Sequence, residues 1–283
     1  MPSLWTPSRE TKRTRILLIN PNSSTEMTTS MVSSLQKAIG SFRNRDVQIL
    51  PYTASTSAAP VSINNGTDID ASARAVLSSL DSDQNFRRAA GGDVDAVLVA
   101  CYSVHPLVSL LMKRFPSIPV TGIFEASILT ALSLLSNSSS PSEKYGIVTT
   151  GPFWETHLST GVSALLHGRY HCQNGGNNNE NDGKFAGVFT TGLDASSFHS
   201  APASEIRSRL REATSKLLAS GDVRCVLMGC AGMAGLEDLI RETTIEQYGV
   251  ERGNQVYVID GVKAGIGLLL HMIESRRLFQ AKM

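Results

Sequence analysis

Gly92-Asp93-Val94-Asp95-Ala96-Val97-Leu98-Val99-Ala100-Cys101 returns 129 residues later as Gly221-Asp222-Val223-Arg224-Cys225-Val226-Leu227-Met228-Gly229-Cys230. Six of the ten positions are identical, the closing cysteine among them. Each copy is a short apolar run that starts from a Gly-Asp turn, as expected for a buried strand of a parallel sheet. A repeat of this kind within 283 residues means two copies of one supersecondary unit.

Working outward, Arg15-Ile16-Leu17-Leu18-Ile19-Asn20 pairs with Tyr145-Gly146-Ile147-Val148-Thr149-Thr150, aligning Ile16 with Ile147. Ile118–Ile123 pairs with Asn254–Ile259. Each half then reads strand, polar turn, helix, strand, cysteine turn, helix, strand. Helices are predicted over 25–39, 71–80, 107–115, 126–135, 204–219, 236–248 and 265–278, where apolar residues recur at helical spacing. The first carries Met27, Met31, Leu35 and Ile39 four apart. The expected fold is α/β: two pseudosymmetric domains, each a parallel sheet flanked by helices, with the active site in the cleft between them. Residues 1–14 read as a disordered leader. Residues 15–125 plus 260–283 form the first domain, since the last helix is expected to cross back to it, and 126–259 form the second. Within the second, the Gly/Asn tract at 174–179 makes 168–184 a mobile loop. Ser136–Ser142 reads as another loop, between the halves.

The 26 Lys+Arg and 25 Asp+Glu cancel, which argues against nucleic acid or a membrane surface as partner. No apolar run reaches bilayer length and the leader has no secretory core, so a cytoplasmic location is expected. The final Ala281-Lys282-Met283 resembles a peroxisomal import tripeptide. Without a signal peptide, the four cysteines are expected to be reduced thiols. They form no Cys-x-x-Cys or His/Cys cluster, so no metal is expected. A small-molecule substrate is the expected partner, and a homo-oligomer is left open.

Duplication sorts the thiols. Cys172 has no counterpart, and Cys225 aligns with Ala96 inside a strand, as a small core residue would. Cys101 and Cys230 end equivalent strands, and in open α/β sheets ligands bind at the carboxyl ends of strands. Backbone N–H groups at a helix entrance would favour a thiolate there. Pseudo-twofold symmetry would set the two on opposite walls of one cleft. One as base and one as acid can then invert a carbon stereocentre without a cofactor.

With Ile19-Asn20-Pro21-Asn22-Ser23-Ser24, Ala100-Cys101, Val148-Thr149-Thr150-Gly151 and Gly229-Cys230-Ala231-Gly232-Met233, the sequence resembles the Asp/Glu/hydantoin racemase superfamily, most closely its hydantoin and allantoin racemase branch. The resemblance runs from Arg15 to the last helix. It implies catalysis by Cys101 and Cys230, no cofactor, and substrate contacts from Asn20, Ser103, Thr149, Thr150, Gly151, Ala231 and Gly232. Amino-acid racemases of the family carry Asn-Thr after the first cysteine and Thr after the second, whereas this chain has Tyr102-Ser103 and Ala231. That loss of polar donors favours a neutral cyclic ureide, such as allantoin or a 5-substituted hydantoin, inverted at C5. An Asp/Glu racemase, an isomerase or decarboxylase on the same scaffold, and a non-catalytic ureide-binding protein are the alternatives. His105, at the helix entrance before Pro106, reads as structural rather than as a group orienting the thiolate, and Glu125, after the strand at 118–123, is left without a role.

Overall fold

The computed structural model describes residues 13–40, 46–55, 57–82, 94–135, 142–167 and 183–280. The leader up to residue 12, Gly92-Asp93, residues 136–141, most of the Gly/Asn loop with Cys172 and the terminal tripeptide lie outside the described residues.

The first sheet contains β1 (Thr14–Asn20), β2 (Val47–Thr53), β3 (Ala96–Val99) and β4 (Val120–Gly122), all parallel, in the order β2-β1-β3-β4. The second contains β5 (Lys144–Thr149), β6 (Phe185–Thr190), β7 (Val223–Met228) and β8 (Tyr257–Asp260), again all parallel, in the order β6-β5-β7-β8. The two orders are the same, so the whole sheet is duplicated. Register corrects the alignment of the first strands. Ile16 pairs with Ala96 as Tyr145 pairs with Cys225, so Ile16 corresponds to Tyr145, and the offset is the same 129 residues seen in the repeat. Asn20 thereby corresponds to Thr149, and Gly122 to Asp260.

Alternate residues of each central strand face different layers. Ile16, Leu18, Ala96 and Leu98 share one continuous core with Tyr145, Ile147, Cys225 and Leu227 of the other sheet. Leu17, Ile19, Val97 and Val99 point the other way, onto α2 (Gly66–Ser82) and α3 (Pro106–Arg114). Val148, Val226 and Met228 likewise face α7 (Ala203–Leu218) and α8 (Glu237–Tyr248). Four helices fill the shared layer: α1 (Thr25–Ile39), α4 (Ile123–Leu135), α5 (Phe153–His167) and α10 (Gly261–Phe279). α4 follows β4 of the first sheet but packs also on β7 and β8; α10 follows β8 of the second but packs on β3 and β4. α10 starts with a cap and a close approach that hold this crossing. Asp260 Oδ1 accepts from the N–H groups of Val262 and Lys263 at 2.7 and 3.2 Å. Gly265 lets α10 lie on Leu98, whose Cδ1 would be 2.5 Å from an added Cβ.

Three further elements carry weaker sequence signals: the edge strands β2 and β6, and α5 (Phe153–His167). β2 is only half-buried and holds Pro51, tolerable on an edge because no second neighbour needs its N–H. β6 contains a bulge: Tyr145 pairs with Phe185 but Ile147 with Val188, and the spare residue is absorbed at Gly187, with φ +117°. Short helices α6 (Ser197–Ser200) and α9 (Val250–Gln255) complete the described set.

Candidate active site

Both repeated cysteines leave their strands into the same small cavity, between the two sheets' carboxyl ends. Cys101 is buried at 9% exposure; Cys230 is half-buried. The link that holds each strand end is repeated too. The Ala100 N–H donates to the Ile19 carbonyl at 2.8 Å, and the Gly229 N–H to the Val148 carbonyl at 2.7 Å. Gly229 has no room for a side chain: an added Cβ would lie 2.8 Å from Thr149 Cβ and 2.9 Å from the Val148 carbonyl oxygen. Thr149 Oγ1 completes the link by donating to the Gly229 carbonyl at 2.6 Å.

Neither cysteine heads an α-helix, contrary to the sequence expectation. Four residues separate Cys101 from α3, and Cys230 caps a single 3-10 turn over Ala231–Met233. The Cys101 sulfur accepts from the Ser103 hydroxyl at 3.3 Å, and the Cys230 sulfur from the Gly232 N–H at 3.3 Å. These bonds favour a thiolate, but burial works against it and wins. Burial pushes the Cys101 thiol up to about 12, with a smaller contribution from Cys230 itself, and the Cys230 thiol up to about 11. Both thiols are therefore held toward the protonated form at neutral pH.

Of the residues expected to bind substrate, Thr150 and Ala231 line the cavity; Asn20, Ser103, Thr149, Gly151 and Gly232 do not. Asn20 is engaged in its own turn: its NH2 donates to the Ser24 carbonyl and Thr28 Oγ1, both at 3.0 Å, and its oxygen accepts from the Asn22 N–H at 3.3 Å. Asn22, two residues on, lines the wall, but its amide is likewise engaged in the turn: Oδ1 accepts from the Ser24 N–H at 2.9 Å and Nδ2 donates to the Met27 sulfur at 3.2 Å. Ser103 and Gly232 act through the cysteine sulfurs and Thr149 through Gly229. Polar atoms on the wall come from Asn22, Cys101, Thr150 and Cys230, and no lining residue is charged. Met27, Ile63, Trp154 and Ala195 supply apolar surface that the sequence reading did not identify. Tyr102 joins them with its hydroxyl bound away to Ser127 at 2.7 Å, since Ser127 in turn donates to the Phe124 carbonyl at 2.9 Å.

His105 is structural. Ser72 donates to the Ile69 carbonyl at 2.7 Å, so His105 Nε2 donates to Ser72 at 3.0 Å, while Nδ1 accepts from the Leu107 N–H at 3.3 Å and caps α3. Burial lowers it to about 4, so the ring is neutral. Glu125 lies in the first turn of α4, with its carboxylate over Gly122 and close enough to Cys101 to raise that thiol slightly. Among the described residues no group of three or more His, Cys, Asp or Glu is placed to hold a metal ion. No described helix is long and apolar enough to cross a membrane.

A family model described as Asp/Glu/hydantoin racemase matches residues 16–269, nearly the whole chain. The chain belongs to that family. It is thus an isomerase of the racemase type acting on a small molecule. The uncharacterized protein C1F7.10 of Schizosaccharomyces pombe is 33% identical over 268 residues, covering 95% of each chain. A hydantoin racemase of Pseudomonas sp. (strain NS671) is 26% identical over 252 residues, covering 89% of this chain and 83% of its own. Among solved structures, the allantoin racemase from Klebsiella pneumoniae superposes with a TM-score of 0.67 at 21% identity, over 92% of this chain and 88% of its own. The racemase-family fold is therefore the fold of this chain.

Proposed function

We propose that this racemase inverts C5 of a hydantoin-type ring, allantoin or a 5-substituted hydantoin, by proton transfer between Cys101 and Cys230. The observation that carries the reading is one small cavity with both thiols on its wall and no charged side chain among its described lining residues. A free α-amino acid would bring a carboxylate and an ammonium group, and burying either without a partner is costly. A ring ureide brings neutral N–H and carbonyl groups, which Thr150 and the cysteine-turn backbone can match.

One cysteine, as thiolate, removes the C5 proton from its face of the ring. The electron pair passes into the adjacent carbonyl, giving an enolate stabilised by hydrogen-bond donors. The other cysteine, as thiol, delivers a proton to the opposite face. The roles are then exchanged, and the reverse turnover restores them. The high thiol pKa values fit this chemistry: such a thiolate is scarce but strongly basic once formed. An enantiopure 5-substituted hydantoin should lose optical rotation with the enzyme and take up deuterium at C5 in D2O. Cys101→Ser and Cys230→Ser should each reduce racemisation to background, and activity retained in either variant would rule out the two-cysteine mechanism. Aspartate and glutamate, included in the same screen, should show no exchange.

A further inference from the structure

The residues that follow the Cys230 turn line a second cavity, larger than the first and of about 520 Å³, a size common among small-molecule sites. Its walls come from both halves of the chain. α1, in the first half, supplies Ser30, Ser33, Ser34 and Lys37, which share one helical face at spacings of three and four. The second half supplies Ala234 and Gly235, then Glu237 and Asp238 at the start of α8, and Lys263 of α10. The same two elements border both cavities. α1 reaches the active cavity through Met27, and the turn reaches it through Cys230 and Ala231.

Several polar groups of this second wall are already engaged. Thr29 donates to the Thr25 carbonyl at 2.9 Å, and Ser34 to Asp260 Oδ2 at 3.4 Å. Lys263 is paired with Glu237 and stands 4.0 Å from Asp260, whose Oδ1 caps α10. One cation, one anion and two hydroxyls remain. Lys37 and Asp238 are exposed and have no salt-bridge partner among the described residues, and Ser30 and Ser33 have no hydrogen-bond partner among them. Arg241, the cation that Asp238 acts on electrostatically, donates instead to the Gly253 and Val256 carbonyls. An ammonium group on α1 and a carboxylate on α8 match a ligand with one charge of each sign. A ligand with a single charge would engage one and leave the other to water. The active cavity, with no charged lining residue, offers such a ligand nothing.

We propose that the second cavity is a regulatory site for a small zwitterion of the amino-acid type. Its carboxylate sits on Lys37 with the Ser30 and Ser33 hydroxyls, and its ammonium group on Asp238. Such a ligand ties α1 to the segment just after the Cys230 turn and holds that turn in place. A partly buried thiol meets an outside reagent through local opening, and a ligand that binds only the closed form suppresses that opening. The site does not depend on which substrate the enzyme turns over, and its test uses none.

Calorimetric titration of the whole protein at pH 7.5 with L-alanine, L-glutamine, L-leucine, β-alanine and γ-aminobutyrate probes the site at several charge spacings. At least one should bind, and its N-acetyl and amide forms, each with one charge removed, should bind at least about tenfold more weakly. Lys37→Met and Asp238→Asn, both changes at exposed positions, should each weaken the zwitterion by a similar factor. With ligand at ten times its Kd, iodoacetamide alkylation of Cys230, followed by peptide mass spectrometry, should slow about tenfold. In either variant the same concentration should slow it about twofold at most. If no zwitterion binds, the cavity is a solvent-filled cleft and the proposal falls. Binding that both variants retain places the amino acid elsewhere and overturns it equally. Tighter binding of a singly charged form refutes the ligand class, and an unchanged Cys230 rate at saturation refutes the regulatory role.

Discussion

At the scale of single residues, the same polar side chains divide into those that face the cavity and those that build its wall. Asn20 and Asn22 sit in one Asn-Pro-Asn turn, and sequence alone does not say which amide faces inward. The structure turns Asn20 onto Ser24 and Thr28, and puts Asn22 on the wall with its amide bonded to the Ser24 N–H and the Met27 sulfur. The cysteines were legible because duplication singles them out; their ionisation was not, because desolvation depends on what surrounds them. His105 makes the same point and yields a prediction. Its folded pKa of about 4 lies below the ordinary 6.5, so between those values the unfolded chain binds a proton that the folded chain refuses. Its contribution is whole above pH 6.5 and is lost as pH falls toward 4, by about 3 kcal/mol in all. Urea midpoints measured from pH 4 to 7 should slope accordingly, and His105→Gln should flatten that slope.

At the scale of elements, β7 and the turn after it show how narrowly the site is held. Gly229 stands where its counterpart in the first half is Ala100. The neighbouring strand end there carries Asn20, whereas at Gly229 it carries β-branched Thr149. A methyl at 229 would press on Thr149 and on backbone, neither of which can rotate away. Gly229→Ala is expected to cost about 1–3 kcal/mol by overpacking, read as a shift in urea midpoint, and to slow Cys230 alkylation as the turn is displaced. Two of the weaker elements, β2 and β6, are edge strands, where partial burial erases the continuous apolar signal of a central strand. α5, which brings Trp154 to the cavity, was obscured because Gly151-Pro152 reads as a turn and the long loop follows it.

At the scale of the whole molecule, the two sheets are separate but the core is not. One apolar layer touches both, through α1, α4, α5 and α10, and α4 and α10 each leave one sheet to pack partly on the other. Neither half should therefore unfold alone. Urea unfolding followed by Trp154 fluorescence and by far-ultraviolet circular dichroism should give coincident single transitions; two separated transitions would contradict the shared core. Taken by itself, the sequence determined the duplication, the parallel α/β class, the pairing of Cys101 with Cys230 and the family. All of these rest on local patterns, since strand periodicity and repeated motifs survive in one dimension. Only the tertiary structure decided the strand register, which amides and hydroxyls reach the cavity, and that burial holds both thiols toward the protonated form. It alone brought Lys37 and Asp238, from different halves of the chain, onto one cavity. Those properties depend on distance and on exclusion of water, and neither exists until segments remote in sequence have packed together.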